Sequence, residues 1–317
     1  VNWTTSIRTP DRVLQHWTDS HSVKGASPRE MLPWFEMAEQ MMNITPWSPA
    51  TPPNTNNDLL AQGLKKFNYE VSFMHRNVKG CVNSGYCGTG CPYDAKQSQL
   101  LISIPKVLSE GGRLFSRLRV ERLVWVKNRV EKAICVALDQ NGSLPTGKTV
   151  TITAKHFVLA GGAINSPGVL LRSSVPNPYL TLGTRTFLHP VTIMTALMDQ
   201  KVEGWSGAPQ SVYSDQFLWN NPHGIGYKLE VPPEQPMLMS SAHTGFGLAH
   251  SQWMSQLAYQ HTQIALLVDG FDERSTGGRV ILRKDGSPVL EYPISDYVWD
   301  GARRSFHTMA ELIFAVG

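Results

Sequence analysis

Three of the chain's four cysteines stand within eleven positions, in the stretch GCVNSGYCGTGCPYDAK at 80–96. Cys81, Cys87 and Cys91 follow a C-x5-C-x3-C spacing, with Gly85, Gly88 and Gly90 between them and Pro92 directly after. Such a loop has three possible chemistries. Thiolates on a glycine-rich backbone can hold an iron–sulfur cluster or another metal, because the backbone N–H groups can bond the sulfides. A pair can close a disulfide, or the thiols can simply pack as small apolar groups. Zinc wants a fourth ligand, and His75, though near in sequence, is offset. Cys135 stands alone in a strand-like stretch and reads as core.

A second constellation lies in KHFVLAGGAINSPGVLLRSS. A short apolar run, Phe157 to Ala160, ends in Gly161-Gly162 and opens into a helix through Asn165, Ser166 and Pro167. A buried strand that turns through glycines into a helix brings backbone amides against a dinucleotide's phosphates or ribose. The same turn also serves strand–helix junctions that bind nothing. The ten histidines offer no His-x-x-x-His helix pair and no nucleophile elbow with a Ser/His/Asp set. His16, His21 and His75 read as surface positions. His243 and His250, in SSAHTGFGLAHSQW, are loop residues that could also border a substrate channel.

The elements that position these residues are legible in outline. In SPREMLPWFEMAEQMM, Ser27 caps a helix, Pro28 takes its first position and Glu30 completes a capping box. Met31, Trp34, Phe35, Ala38, Met41 and Met42 recur at helical spacing and predict a core-facing stripe. The proline-rich ITPWSPATPPNTNN reads as an extended connection, followed by a helix near Asp58 to Phe67. After the cysteines, KQSQLLISIPKVLSEGG predicts a helix broken at Pro105 and stopped by glycine. From Arg113 the texture is β, with turns at Asn128 and at Asn141-Gly142.

Composition bounds the rest. With 317 residues, 41% hydrophobic and 17% charged, the chain can bury a sizeable core and has room for about two domains. A net charge of +4 without a Lys/Arg block argues against nucleic acid and against a polybasic membrane patch, so small-molecule partners are expected. No apolar run reaches the ~18 residues of a transmembrane helix, and VNWTTSIRTP lacks the features of a secretion signal. Cytoplasm and periplasm both stay open. The chain lacks an initiator Met and stops as a helical pattern reaches Gly317, so it is expected to be an internal piece of a longer protein.

Several motifs carry a family resemblance. VLAGGAINSPGVLLRSS resembles the second signature of the glucose-methanol-choline (GMC) family of FAD-dependent oxidoreductases, through Gly162, Ala163, Ser166, Pro167, Leu170, Leu171 and Ser174. Val175 stands where the family usually has Gly. The opening VNWTTSIRTP resembles the end of the first signature, with Asn2 in the place of the asparagine that backs onto the flavin. RLRVERLVW resembles the strand whose valine backbone contacts the FAD adenine, here Val120. LGTRTFLHP is similar to the family's Gly-x-Asn-Leu-x-Asp-His, keeping Gly183 and His189 but placing Arg185, Thr186 and Leu188 where Asn, Leu and Asp are usual. GRVILRKDGSPVLEYPISD resembles the family's late hairpin.

The resemblance implies an α/β (α+β) fold. An incomplete, doubly wound FAD/NAD(P)-binding domain would cover 1–175, with a covering loop, the cysteine loop and a β meander. An antiparallel-sheet substrate domain would follow over 176–300, and 301–317 would begin a helix returning to the FAD domain. The implied cofactor is FAD, held in part by Asn2, Val120, Ala160, Gly161 and Gly162. No catalytic residue is expected in this chain, because the family's phosphate loop precedes Val1 and its catalytic His follows Gly317. The implied reaction is oxidation of an alcohol by hydride transfer to flavin, with electrons passed to a protein, a quinone or oxygen. Within the same superfamily, the cysteine spacing resembles the loop of FAD sugar and gluconate dehydrogenases that holds an iron–sulfur cluster, which would make Cys81, Cys87 and Cys91 its ligands. His189 is expected to make a structural hydrogen bond. Two rivals stand beside the dehydrogenase: a non-catalytic or partner-completed FAD half-site, and an oxygen-using alcohol oxidase.

Overall fold

The computed structural model describes residues 3–47, 53–219 and 224–317. In chain order its first elements are α1 (Asp11–His21), α2 (Pro28–Met41), β1 (Ile44–Pro46), α3 (Thr55–Lys66), β2 (Ser72–Phe73), β3 (His75–Asn77) and α4 (Ser103–Ser109). Next come β4 (Leu118–Val126), β5 (Arg129–Leu138), β6 (Pro145–Thr153), α5 (Gly162–Arg172), β7 (Val191–Leu197), β8 (Val212–Ser214) and β9 (Tyr227–Glu230). The remainder are α6 (Pro236–Ala242), α7 (Gly247–Ser255), β10 (Gln260–Leu267), β11 (Arg279–Leu282), β12 (Pro288–Glu291) and α8 (Asp296–Phe314). Helices alternate with antiparallel sheets, and every described strand pairing is antiparallel.

One compact unit gathers Val1–Gly112, Val191–Leu267 and Asp300–Gly317. Its frame is a five-stranded sheet of order β2-β8-β9-β10-β7. β10 lies inside it, paired with β7 from Gln260↔Leu197 to Leu266↔Val191 and with β9 from Ile264↔Glu230 to Leu267↔Tyr227. Burial on both faces removes the usual alternation, so Gln260, His261, Thr262 and Gln263 are buried like Ala265 and Leu267. α3 packs close to α8, because Gly63 has no Cβ to strike the Leu312 carbonyl.

The predicted capping box of α2 is present, with Ser27 accepting from the Glu30 N–H and Glu30 reaching back to the Ser27 N–H. Its apolar stripe is a correction, since α2 buries no residue and Trp34 is 60% exposed. Helical periodicity marks one face, but only a neighbouring element makes that face a core. Pro105 also differs from expectation. It sits in the first turn of α4, where its missing N–H is not needed, so the helix starts there instead of breaking.

The other compact unit comprises Arg113–Pro190 and Val268–Trp299. β4, β5 and β6 form a three-stranded meander, turning at Lys127-Asn128 and at Asn141-Gly142, where Lys127 and Gly142 take positive φ. α5 packs on this sheet through Val169 against Leu123, Ala133 and Cys135, with Val120, Phe157 and Leu170 at the edge of the cluster. The β11–β12 hairpin lies against α5, where Gly168 leaves room for Pro288. The two units are thus interleaved in sequence. The boundary expected at 175 falls inside the second unit, where the β11–β12 hairpin packs on α5 and Gly183 and Thr186 hydrogen-bond Val280 and Gly278 at the hairpin's start.

The buried strand expected at Phe157–Ala160 is not formed. The stretch is extended but unpaired, and Val158 is 90% exposed. A strand exists only with a hydrogen-bonded neighbour, and among the described residues none pairs with it. The parallel, doubly wound sheet that the family fold leads one to expect therefore has no described strand pair.

Candidate flavin surface and cysteine pocket

The predicted flavin-contact residues fall into two groups. Asn2 lies outside the described residues. Val120, Ala160, Gly161 and Gly162 all belong to the second compact unit, and local chemistry explains their placement. Val120 sits at a register shift between β4 and β5. Arg172, at the end of α5, donates from Nε to the Glu121 carbonyl at 2.8 Å and from Nη2 to the Val120 carbonyl at 3.1 Å. Its Nη1 donates to the Gly286 carbonyl at 3.1 Å. One guanidinium thereby ties the irregular strand and the hairpin turn to the helix.

At the other end of α5 the Gly161 N–H donates to Ser166 Oγ at 2.9 Å. No side chain caps the helix, and Ala160, Gly161 and Gly162 are exposed. The first N–H groups of an α-helix have no intrahelical acceptor, and they favour an anionic or oxygen-rich partner. Gly162 has φ +82 and open space where a Cβ would project, whereas Gly161 has φ −82 and would place a Cβ 3.3 Å from Ser166 Oγ. The glycine that this turn requires is therefore Gly162.

The three cysteines meet in the first unit. Cys81, Cys87 and Cys91 line one pocket, with Lys96 and Tyr93 among its walls. All are free and partly exposed. Among the described residues no three Cys, His, Asp or Glu side chains are arranged to hold a single metal ion. Arg76 lies behind Cys87, and its Nη2 donates to Cys87 Sγ at 3.3 Å. Cys135 is fully buried in the meander core, as expected, and burial pushes its thiol up.

Sequence reading missed a buried polar set in the same unit. Asn56 Oδ1 accepts from the Thr262 N–H at 3.2 Å and lies 2.5 Å from His261 Nδ1. Because that oxygen is an acceptor, Nδ1 carries the proton, and Nε2 is left to accept from Gln263 Nε2 at 3.0 Å. Burial lowers the His261 pKa to about 4, which keeps the ring neutral. Burial likewise pushes Glu234 up to about 8, against the pull of Thr262 and Asn56, and neither of its oxygens has a well-formed partner. The neighbouring Asn57 Oδ1 accepts from both the Ser211 and Val212 N–H groups at 3.0 Å. No spacing pattern announces this set, because α3 and β10 lie some two hundred residues apart in sequence.

His189 is exposed and makes none of the expected structural hydrogen bonds among the described residues. His243 stacks on Trp253 with centroids 4.1 Å apart, and His250 Nε2 lies 3.0 Å from the Ser240 carbonyl. Among the described residues no helix is long and apolar enough to cross a membrane.

Comparison with known proteins bears directly on these sites. A family model described as GMC oxidoreductase matches residues 1–191. A GMC-type oxidoreductase of Mycobacterium tuberculosis is 28% identical over 317 residues, which is 100% of this chain and 47% of that protein. A long-chain-alcohol oxidase of Arabidopsis thaliana is 28% identical over 213 residues, covering 65% of this chain and 28% of the oxidase. Among solved structures, pyridoxine 4-oxidase from Mesorbium loti superposes with a TM-score of 0.60 at 13% identity, covering 99% of this chain and 62% of its own. An FAD-dependent oxidoreductase from Chaetomium thermophilum gives 0.58 at 10% identity, with 99% and 67% covered. The chain thus spans about half the length of the mycobacterial relative.

Proposed function

The chain belongs to the GMC oxidoreductase family, and on that premise we propose that it supplies part of the flavin surface and the substrate sheet of an FAD-dependent enzyme that oxidises an alcohol. One observation carries this reading. Arg172 and the Val169 core hold Val120, at the meander's register shift, in the same unit as the open N-terminus of α5. The residues present fit the cofactor. The exposed Gly161-Gly162 turn has uncapped amide donors, and Gly162 leaves open space that a side chain would fill.

In this reading α5 offers N–H donors to oxygen atoms of the dinucleotide. Arg172 fixes the Val120 backbone for an adenine. When bound, FAD supplies the acceptor for the hydride that leaves the carbinol carbon. The names of the relatives support an alcohol substrate, and the long-chain-alcohol oxidases in particular support an apolar one with oxygen as acceptor.

The test uses the full-length protein. It is expected to purify yellow, with FAD released on denaturation, and to consume oxygen with an aliphatic alcohol. A colourless protein that takes up no FAD on titration overturns the flavin reading. A flavoprotein that reduces a dye but not oxygen replaces oxygen with another acceptor and leaves the rest standing.

A further inference from the structure

The tip of the meander carries a cavity that takes no part in the flavin surface. Its volume is about 440 Å³, within the ~300–1,000 Å³ of small-molecule sites. Two stretches of chain build it. Trp125, Arg129 and Val130 come from the β4–β5 hairpin, and Lys155, His156 and Phe157 from the stretch that leaves β6. The hairpin's register jumps from Val124↔Lys132 to Trp125↔Val130, so that Glu131 is an extra residue in β5. Such a bulge bends its strand and re-aims the side chains beside it. Trp125 and Val130 stand directly opposite each other after the jump, which puts both on one face of the hairpin. That face is anchored, because Trp125, Val130 and Phe157 pack at the edge of the Leu123, Ala133, Cys135 and Val169 core.

The polar part of the wall is cationic. Arg129 Nη2 donates to the Lys155 carbonyl at 3.3 Å, which ties the start of β5 to the chain leaving β6. Among the described residues the guanidinium has no other partner, and the side chains of Lys155 and His156 have none. No carboxylate stands among the described residues that line the cavity. Arg129 and Lys155 would repel a cationic ligand, whereas an anion gains charge-assisted hydrogen bonds from a guanidinium already held in place. The aromatic walls set the other half of the ligand. A flat ring laid against Trp125 and Phe157 buries apolar area and gains offset or edge contacts.

We propose that this cavity binds a planar aromatic anion, a ring bearing a carboxylate or a phosphate, with the anionic group on Arg129 and Lys155 and the ring against Trp125 and Phe157. The site is separate from the flavin surface of the same unit. Val120 lies five residues before Trp125 along β4, roughly 17 Å at ~3.4 Å per residue, and Gly161 lies four residues beyond Phe157, roughly 13 Å along an extended chain. None of the residues assigned to FAD belongs to it, so it stands apart from the alcohol oxidation proposed above. Aryl carboxylates and nucleotide monophosphates both carry this chemistry.

The test titrates the full-length protein, as purified, with benzoate, AMP, benzamide and inorganic phosphate in a calorimeter. Benzoate and AMP each join a ring to an anion, whereas benzamide keeps only the ring and phosphate only the charge. Benzoate or AMP is expected to bind at a single site per chain, at least about tenfold more tightly than benzamide and phosphate, and to leave any bound FAD in place. Arg129→Gln should weaken that binding about fivefold or more, and Lys155→Gln should weaken it as well. Both positions are exposed, and far-UV circular dichroism shows that each variant is folded. Tighter binding of benzoate assigns the site to an aryl carboxylate, and tighter binding of AMP to a nucleotide. A colourless protein would end the flavin reading and leave this measurement intact. Three results overturn the aromatic-anion site: neither probe binds more tightly than benzamide and phosphate, Arg129→Gln leaves the affinity unchanged, or the probe binds by displacing FAD.

Discussion

The α3–β10 junction and the start of α5 use polar groups in opposite ways. In the first, Asn56, Asn57, His261 and Thr262 are buried and meet one another across distant parts of the chain. In the second, the helix begins with uncapped, exposed amides and a glycine in left-handed conformation. The first region spends its hydrogen bonds on holding the fold, so its polarity is structural even though its pKa values are strongly displaced. The second keeps donors unspent at the surface. A displaced pKa in a buried network is thus weaker evidence of function here than a set of unmet backbone donors.

The sharpest way to break that comparison is Asn57→Ala. It orphans the Ser211 and Val212 N–H groups in a buried site and removes the Asn54 contact, so a loss of about 3 kcal/mol in urea unfolding is expected. A loss below about 0.5 kcal/mol would mean that the network is not holding the fold.

Gly162→Val should have a smaller effect on stability and a larger one on ligand. A β-branched residue at φ +82 costs about 1–2 kcal/mol, and flavin retention in the full-length protein should fall by more than that strain explains. Gly161→Ala serves as the control, with ordinary φ and near-normal flavin content. Equal flavin loss in both variants would show that the turn is read through its packing alone.

Glu234→Gln is read as a shape against pH instead of a loss at one pH. The folded protein holds this carboxyl at about 8 against an ordinary value of 4.5, so it keeps a proton that the unfolded chain releases. Its contribution to stability is full below 4.5 and is lost as pH rises to about 8. His261 works in the other direction, since a ring lowered to about 4 from 6.5 loses stability as pH falls through that window. Melting temperatures from pH 5 to 9 should decline toward the alkaline end in the parent and flatten in Glu234→Gln. An unchanged slope would show that the carboxyl is not held protonated.

Features that depend on near neighbours are legible in the residue pattern. The capping box of Ser27 and Glu30, the turns at Asn128 and Asn141-Gly142, and the helix opened by Ser166 and Pro167 all follow from local hydrogen bonds and dihedral limits. The GMC motifs belong to this level too, because their spacing is itself a local pattern. The tertiary structure alone decided burial and partnership. The α2 stripe and the Phe157–Ala160 run have the composition of core and strand, yet α2 buries no residue fully and residues 158–160 are exposed without a described strand partner. Conversely, Arg76, His261 and Glu234 carry no motif and are buried, the first two held by side chains distant in sequence. The three cysteines show both levels at once. Their clustering was legible as a spacing, but which groups surround each sulfur was fixed only when the chain closed around Arg76 and the amides of Tyr93, Ala95 and Lys96. Hydrogen-bond geometry within a few residues is written in the chain, whereas the field at a buried atom is the sum over whatever folding brings beside it.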